Sequence, residues 1–282
     1  MGESRINRRT MLTAGATGLA LTGTGLTSLL RPSGGGGASP ASYLSLRRVE
    51  RVHSRARGRD LDLVTMLPRD DVPDALPVCV VLHGLGGDAV GTHKYGFGAQ
   101  LVSKAALGTI PPFALVAVDG GDNYWNQVRA GDDPMAMLLT ELPVWLRERD
   151  LGDRPFACVG VSMGGFGALH YARMRAERRE PLRATAAVSP ALITSWEVMR
   201  TRRIFPSREA WAALDPLHHP DAVGDTALGV WCGADDPFVT GTRRFIGMTQ
   251  PAVAHIGPGR HTTDFVKGVA DDVVRFLGAH VP

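Results

Sequence analysis

The hydrophobic residues of this chain cluster in short continuous runs, separated by stretches in which apolar positions recur with a helical period. Six runs have the length and composition of strands: 77–84, 113–120, 156–162, 184–190, 227–236 and 252–257. Continuous apolarity is typical of strands that are buried on both faces of a sheet. Ahead of them, residues 47–68 predict an antiparallel hairpin that turns near Gly58, because its second arm alternates between apolar and polar positions.

Helical patterns occupy the stretches 134–148, 163–178 and 265–279. Strands that alternate with helices favour an α/β fold, with a mostly parallel central sheet and helices on both faces. No change of composition divides residues 42–282, so we expect one domain. The stretch 191–226 is longer than the other connections and follows a strand end, where open α/β sheets bind ligands. It is either a cap over such a site or ordinary helical packing.

The basic character of the chain is confined to its beginning. The 282 residues carry a net charge of +3, with an isoelectric point near 9.0. Residues 1–41 hold four of the 31 basic and one of the 28 acidic residues, so 27 of each remain in the rest. The body of the chain is therefore neutral, and we expect no nucleic acid as a partner.

The N-terminal segment resembles a twin-arginine export signal. Arg8 and Arg9 precede a weakly apolar stretch rich in Gly and Thr, and the small residues Ser39 and Ala41 suit cleavage before Ser42. An uncleaved membrane anchor is the alternative, although a span needs about 20 residues of stronger apolar character. We therefore expect residues 1–41 to direct export through the Tat translocase. The mature protein would then be extracytoplasmic, either secreted or peripherally associated with the cell envelope.

The cysteines give no sign of a metal or redox centre. All three lie inside apolar runs, where a free cysteine behaves as a small hydrophobic residue: Cys79, Cys158 and Cys232. A disulfide between two of them is possible, but nothing favours it. No Cys/His cluster has the spacing of metal ligands, so we expect no metal and no cofactor.

Ser162 is the candidate nucleophile. It stands at the centre of the pattern G-x-S-x-G at 160–164, with a predicted strand before it and a predicted helix after it. A serine raised above the edge of a sheet needs a strained turn, and flanking glycines remove the collisions of that turn. The backbone N–H of Met163, at the start of the helix, points toward the site and would stabilise an oxyanion.

The serine needs a base and an acid that orients this base. Along the chain, the three residues occur in the order serine, acid, histidine. His255, His261 and His280 follow the acidic end of the run at 227–236. His255 lies within a strand and His280 is next to the chain end, whereas His261 lies in a loop ahead of the last helix, so we select His261. Asp235 and Asp236 are the candidate acids; Asp236, restricted by Pro237, is favoured over its neighbour.

Two loops at other strand ends complete the expected site. In the glycine-rich stretch 83–88, the backbone N–H of Leu85 is the candidate second oxyanion donor, and His83 is expected to be a structural hydrogen-bonding group. After the run at 113–120, Tyr124 and Trp125 are expected to form apolar walls of the substrate pocket, with packing inside the loop as the alternative.

These motifs together resemble a family of esterases with the α/β-hydrolase fold, which includes S-formylglutathione hydrolase-type esterases and actinobacterial mycolyltransferases. The resemblance covers about residues 48–280 and rests on HGLGGD, AVDGGDNYW, GVSMGGFGAL, VSPAL, GADDPF and GRHTTDF. It implies a Ser162–Asp236–His261 triad with oxyanion donors at Leu85 and Met163. Two departures exist: Arg260 stands where members often have glycine, and the acid is an aspartate where mycolyltransferases have a glutamate.

The sequence therefore predicts an exported serine esterase that cleaves small-molecule or lipid acyl esters through an acyl-enzyme. One alternative is an acyltransferase of the mycolyltransferase type, with a sugar or alcohol of the cell envelope as acceptor. The other is a non-catalytic envelope-binding protein on the same fold. A fluorophosphonate probe that labels Ser162 would contradict this second alternative.

Overall fold

The computed structural model describes Leu44 and residues 46–282, so the export signal predicted for residues 1–41 lies outside the described residues. The described chain opens with a hairpin of two antiparallel strands, β1 (Arg47–Ser54) and β2 (Arg59–Met66). Its turn contains Gly58, whose φ of 61° lies in the left-handed region that favours glycine. The predicted hairpin is confirmed.

The central sheet has eight strands in the order β1-β2-β4-β3-β5-β6-β7-β8. β2 pairs antiparallel with β1 and β4, and all other pairs are parallel. Strands β3 to β8 are the six apolar runs predicted from the sequence: Val78–Leu82, Ala114–Val118, Ala157–Val161, Ala184–Val188, Ala227–Gly233 and Val253–Gly257. The α/β-hydrolase fold, with its mostly parallel sheet, is confirmed.

Helices cover both faces of the sheet. Two of them, α1 (Phe97–Ala106) and α7 (Thr263–Gly278), share one apolar core with one face of the sheet. On the other face lie α2 over 134–147, α3 (Met163–Glu177) and α6 (Val239–Thr249). In α2, a turn of π-helix at Met137–Glu141 joins two α-helical pieces, Pro134–Ala136 and Leu142–Arg147. The predicted helices correspond to α2, α3 and α7, whereas α1 and α6 were not predicted.

The segment 191–226 contains two short helices, α4 (Trp196–Met199) and α5 (Arg208–Ala212). The indole rings of Trp196 and Trp211 stack with their centroids 6.0 Å apart. Phe205 is buried against the rings of Tyr124 and Phe166, and the latter belongs to α3. The segment is thus attached to the helical layer beside α3.

All three cysteines are buried in the sheet as free thiols: Cys79, Cys158 and Cys232. Burial raises the pKa of each of them, and that of Cys232 to about 12. The thiols therefore stay protonated and act as apolar core groups. Among the described residues, no helix is long and apolar enough to cross a membrane.

Candidate active site

Ser162 lies in the sharp turn between β5 and α3. Its φ of 58° and ψ of −119° are strained for a residue with a side chain. A Cβ on Gly160 would overlap the carbonyl oxygen of Gly164, and a Cβ on Gly164 would overlap that of Leu82. Only glycine therefore fits on either side of this serine. The turn is held by the N–H of Ser162, which donates to the carbonyl of Val188 at 3.0 Å.

The structure brings Ser162, His261 and Asp236 together in one chain of hydrogen bonds. The Oγ of Ser162 lies 2.9 Å from Nε2 of His261, and Nδ1 of His261 lies 2.7 Å from Oδ2 of Asp236. A carboxylate can only accept, so Nδ1 carries the proton and Nε2 is the acceptor for the serine hydroxyl. This is the arrangement in which a histidine can take a proton from a serine.

Asp236 is buried and stays ionised. Burial alone would raise its pKa, but hydrogen bonds from His261 and from the N–H of Phe238, at 2.8 Å, outweigh burial and hold the pKa below its usual range. Its neighbour Asp235 is exposed, and its side chain makes no hydrogen bond to His261. Of the two candidate acids, Asp236 is the one that meets the imidazole.

The imidazole of His261 is fixed from two sides. The ring of Phe238 meets it edge to face, with centroids 5.0 Å apart and planes at 81°. A second constraint comes from the backbone, since the N–H of Asp235 donates to the carbonyl of Gly259 at 2.9 Å. This hydrogen bond joins the acidic turn to the loop that carries the histidine.

The loop at 83–88 approaches Ser162 from the end of β3. The backbone N–H groups of Leu85 and Met163 donate to no acceptor in the part of the chain that the structure describes. His83 anchors the loop: its Nδ1 contacts the carbonyl of Gly84 at 2.9 Å, and its Nε2 accepts from Gly120 N–H at 2.9 Å. Burial lowers the pKa of His83, so the ring is neutral and serves as the structural group expected from the sequence.

A cavity of about 190 Å³ opens onto Ser162 and His261. Its walls come from the oxyanion loop (Gly84 and Leu85), from Tyr95, and from the first turn of α7 (Thr262, Thr263 and Val266). Val161 in β5 and Ser189 at the end of β6 complete the lining. No residue of the segment 191–226 lines this cavity, although that segment was considered as a possible cap.

Tyr124 and Trp125 do not lie where the sequence analysis expected them. Both are buried in the core, and neither lines the cavity. Both have positive φ angles, of 56° and 57°, and the indole N–H of Trp125 donates to the carbonyl of His83 at 3.3 Å. The indole of Trp125 thus packs against His83 in the loop, the ring of Tyr124 packs against Phe166 and Phe205, and neither ring forms a wall of the pocket.

Two residues of the site were missed by sequence reasoning. Tyr95 ends a 3₁₀ turn (Val90–Tyr95), and its hydroxyl accepts the N–H of Gly84 at 3.0 Å. Ser189 is buried and has a φ of 46°, and its hydroxyl lies close enough to Asp236 to help lower the pKa of that carboxyl. The VSP motif at 188–190 was a signal for Ser189, whereas nothing in the sequence marks Tyr95.

Comparison with known proteins assigns the chain to a family. The family model "Putative esterase" matches residues 54–240, which is well over half of the chain. The chain belongs to this esterase family. The protein is thus a carboxylic ester hydrolase. A search of curated proteins finds no match to this esterase.

Solved structures share the fold of the esterase at low sequence identity. A ferulic acid esterase is 19% identical with a TM-score of 0.68, over 83% of this chain and 98% of its own. An S-formylglutathione hydrolase from Agrobacterium tumefaciens is 16% identical with a TM-score of 0.68, over 84% and 95%. The MPT51 protein of Mycobacterium tuberculosis is 16% identical with a TM-score of 0.63, over 83% and 99%.

Proposed function

We propose that this esterase hydrolyses short-chain acyl esters outside the cytoplasm, with Ser162 as nucleophile, His261 as general base and Asp236 as the residue that orients the histidine. The observation that carries the proposal is the continuous chain of hydrogen bonds from Ser162 through His261 to Asp236. Three residues from separate strand ends meet there with the geometry that nucleophilic catalysis needs.

In the first half of the reaction, the Oγ of Ser162 attacks the ester carbonyl while Nε2 of His261 takes its proton. The buried carboxylate of Asp236 stabilises the imidazolium that forms. The negative charge on the former carbonyl oxygen is met by the N–H groups of Leu85 and Met163, and the start of α3 adds its favourable dipole. His261 then returns the proton to the leaving alcohol, and the acyl group stays on Ser162.

In the second half, water attacks the acyl-enzyme with His261 again as base. The new oxyanion forms in the same place and collapses to release the acid and free Ser162. A sugar or alcohol could replace water in this step, which is the acyltransferase alternative. Transfer to trehalose, measured beside hydrolysis of one p-nitrophenyl ester, separates the two reactions.

The size of the cavity supports a short acyl group. Its volume of about 190 Å³ is below the roughly 300–1,000 Å³ of pockets that enclose drug-sized ligands. Its apolar lining is provided by Leu85, Val161 and Val266, and Thr262 and Thr263 also line it. We therefore place acetyl to butyryl esters among the substrates, in preference to long lipid chains.

The test is a chain-length series of p-nitrophenyl esters, measured on the protein without residues 1–41. We expect kcat/KM to be highest for acetate to butyrate and to fall for octanoate and longer chains. The matched blank is Ser162→Ala, which keeps the fold and removes the nucleophile. Equal activity on long chains would contradict the substrate class, whereas activity that persists in Ser162→Ala would contradict the site.

We also propose that residues 1–41 direct export by the twin-arginine route. The support is the pair Arg8-Arg9 ahead of a weakly apolar stretch, together with the neutral charge balance of the remaining chain. The mature enzyme would act on esters in the medium or at the cell envelope.

A further inference from the structure

The hydroxyl of Tyr95 has no assigned role, yet it lies beside the nucleophile. Tyr95 lines the same cavity as Leu85, Ser162 and His261. Its position is fixed relative to Ser162 through Gly84: a Cβ on Gly84 would lie 3.3 Å from the Cβ of Ser162 and 3.8 Å from the Tyr95 hydroxyl. Tyr95 and Ser162 thus flank Gly84 and line the cavity that a group bound to the serine would enter.

The hydrogen bond that Tyr95 makes determines what its proton can do. The hydroxyl oxygen accepts the N–H of Gly84 at 3.0 Å. The oxygen thus accepts one hydrogen bond. The proton of the hydroxyl has no acceptor among the described residues, so the hydroxyl can donate a hydrogen bond into the cavity. An N–H that donates to this oxygen also polarises the O–H bond and makes it a stronger donor.

The hydroxyl is also held in place and kept protonated. The ring of Tyr95 packs against that of Phe97, with centroids 5.9 Å apart. Burial raises the pKa of Tyr95, so the phenol does not ionise at neutral pH. A fixed, neutral donor at the edge of a partly closed cavity is the kind of group that stabilises charge developing in a transition state.

We propose that Tyr95 is a catalytic residue of this esterase, and that its hydroxyl donates a third hydrogen bond to the oxyanion beside the N–H groups of Leu85 and Met163. The donor set would then comprise two backbone amides and one side chain. The proposal rests on the proposed function, since it assumes that the oxyanion forms on an ester attached to Ser162.

The first test is Tyr95→Phe, assayed with p-nitrophenyl acetate. We expect kcat to fall about 100-fold with KM changed less than twofold, because the lost bond forms only in the transition state. Inhibition by a short alkyl trifluoromethyl ketone, whose adduct with Ser162 carries the oxyanion, should weaken by the same factor as kcat/KM. Full activity in a folded Tyr95→Phe protein would overturn the proposal.

A matched variant separates donation from the anchoring of the loop. Asp122 accepts the N–H of Gly86 at 2.6 Å on the same loop but does not line the cavity. Asp122→Ala therefore loosens the loop without removing a donor, and we expect a loss of kcat smaller than tenfold. A loss as large as that of Tyr95→Phe would mean that the tyrosine acts only by holding the loop.

A third measurement keeps the proposal testable if Tyr95→Phe does not fold. Placing 3-fluorotyrosine at position 95 keeps the ring and the acceptor but makes the phenol more acidic, so the alkaline loss of kcat should move to lower pH. Asp88 and His261 are the charged and titratable groups near Tyr95, Lys267 packs against the neighbouring Gly96, and the substitution leaves all three unchanged. An unmoved alkaline limb would overturn the proposal.

The outcomes distinguish this inference from the proposed function. If Ser162→Ala abolishes hydrolysis and Tyr95 variants are fully active, only the role of Tyr95 is wrong. If Ser162→Ala remains active, the proposed nucleophile is wrong whatever Tyr95 does.

Discussion

Two adjacent aspartates at the end of β7 differ completely in what they contact. Asp236 is buried and accepts the Nδ1–H of His261, whereas Asp235 is exposed. We expect Asp236→Asn to lower kcat about 10⁴-fold, because an amide can hold the imidazole in the wrong tautomer and cannot stabilise the imidazolium. The measurement is kcat on p-nitrophenyl acetate at pH 7 to 8.

The matched control for this prediction is Asp235→Asn. Its side chain makes no contact with the imidazole, so its kcat should stay within twofold of the unmodified enzyme. A large loss in Asp235→Asn together with a small loss in Asp236→Asn would show that the structure assigns the acid to the wrong residue.

At the same scale, the sequence could place residues at the sheet edge but could not orient every side chain. Ser162, Asp236 and His261 were selected because chain order and strand ends constrain them. Tyr124 and Trp125 were placed at the correct edge, yet their positive φ angles turn the rings into the core. Tyr95 meets Gly84 only through the fold of the turn between them, and no residue pattern encodes that contact.

Among the elements, the turn between β5 and α3 depends most strictly on glycine. A Cβ at Gly164 would overlap the carbonyl oxygen of Leu82 in β3, and this backbone cannot move without opening the sheet. We expect Gly164→Ala to lower the free energy of unfolding by about 3 kcal/mol or more, or to abolish folding. Urea unfolding followed by circular dichroism is the measurement.

Gly268 provides the matched control inside α7. It is exposed and a Cβ there would meet no atom within 4 Å, so Gly268→Ala should raise the free energy of unfolding by about 0.5–1 kcal/mol. If Gly164→Ala proved as stable as Gly268→Ala, the close approach of α3 to β3 would be wrong.

The elements that sequence reasoning found and missed differ in how strongly they are encoded locally. The buried strands were found because apolar runs between turn residues are distinctive. Helix α6 was missed because it holds two glycines and three β-branched threonines, which are poor helix formers. It forms because Phe245 is buried in the core and because Gly241 lets the helix lie against Leu192.

For the whole molecule, the uneven distribution of charge leads to a prediction about location. The twin arginines precede a chain whose remaining acidic and basic residues balance. We expect the double variant Arg8→Lys, Arg9→Lys to stay in the cytoplasm of a bacterium with a working twin-arginine translocase. The measurement is esterase activity in the cytoplasmic and extracytoplasmic fractions.

The control for export is the unmodified chain in a strain that lacks the translocase, which should also retain the enzyme inside. Export of the double-lysine variant at the normal level would contradict the proposed route. The variant should keep full activity on p-nitrophenyl acetate, since positions 8 and 9 lie outside the esterase domain.

The buried thiols of Cys79, Cys158 and Cys232 have a consequence for where this enzyme can fold. None of them is joined in a disulfide, and each is enclosed by the sheet. Reaching the native state therefore requires no oxidant, and a reductant has no bond to break. The proposed export in the folded state would therefore leave the covalent structure of the molecule unchanged between reducing and oxidising surroundings.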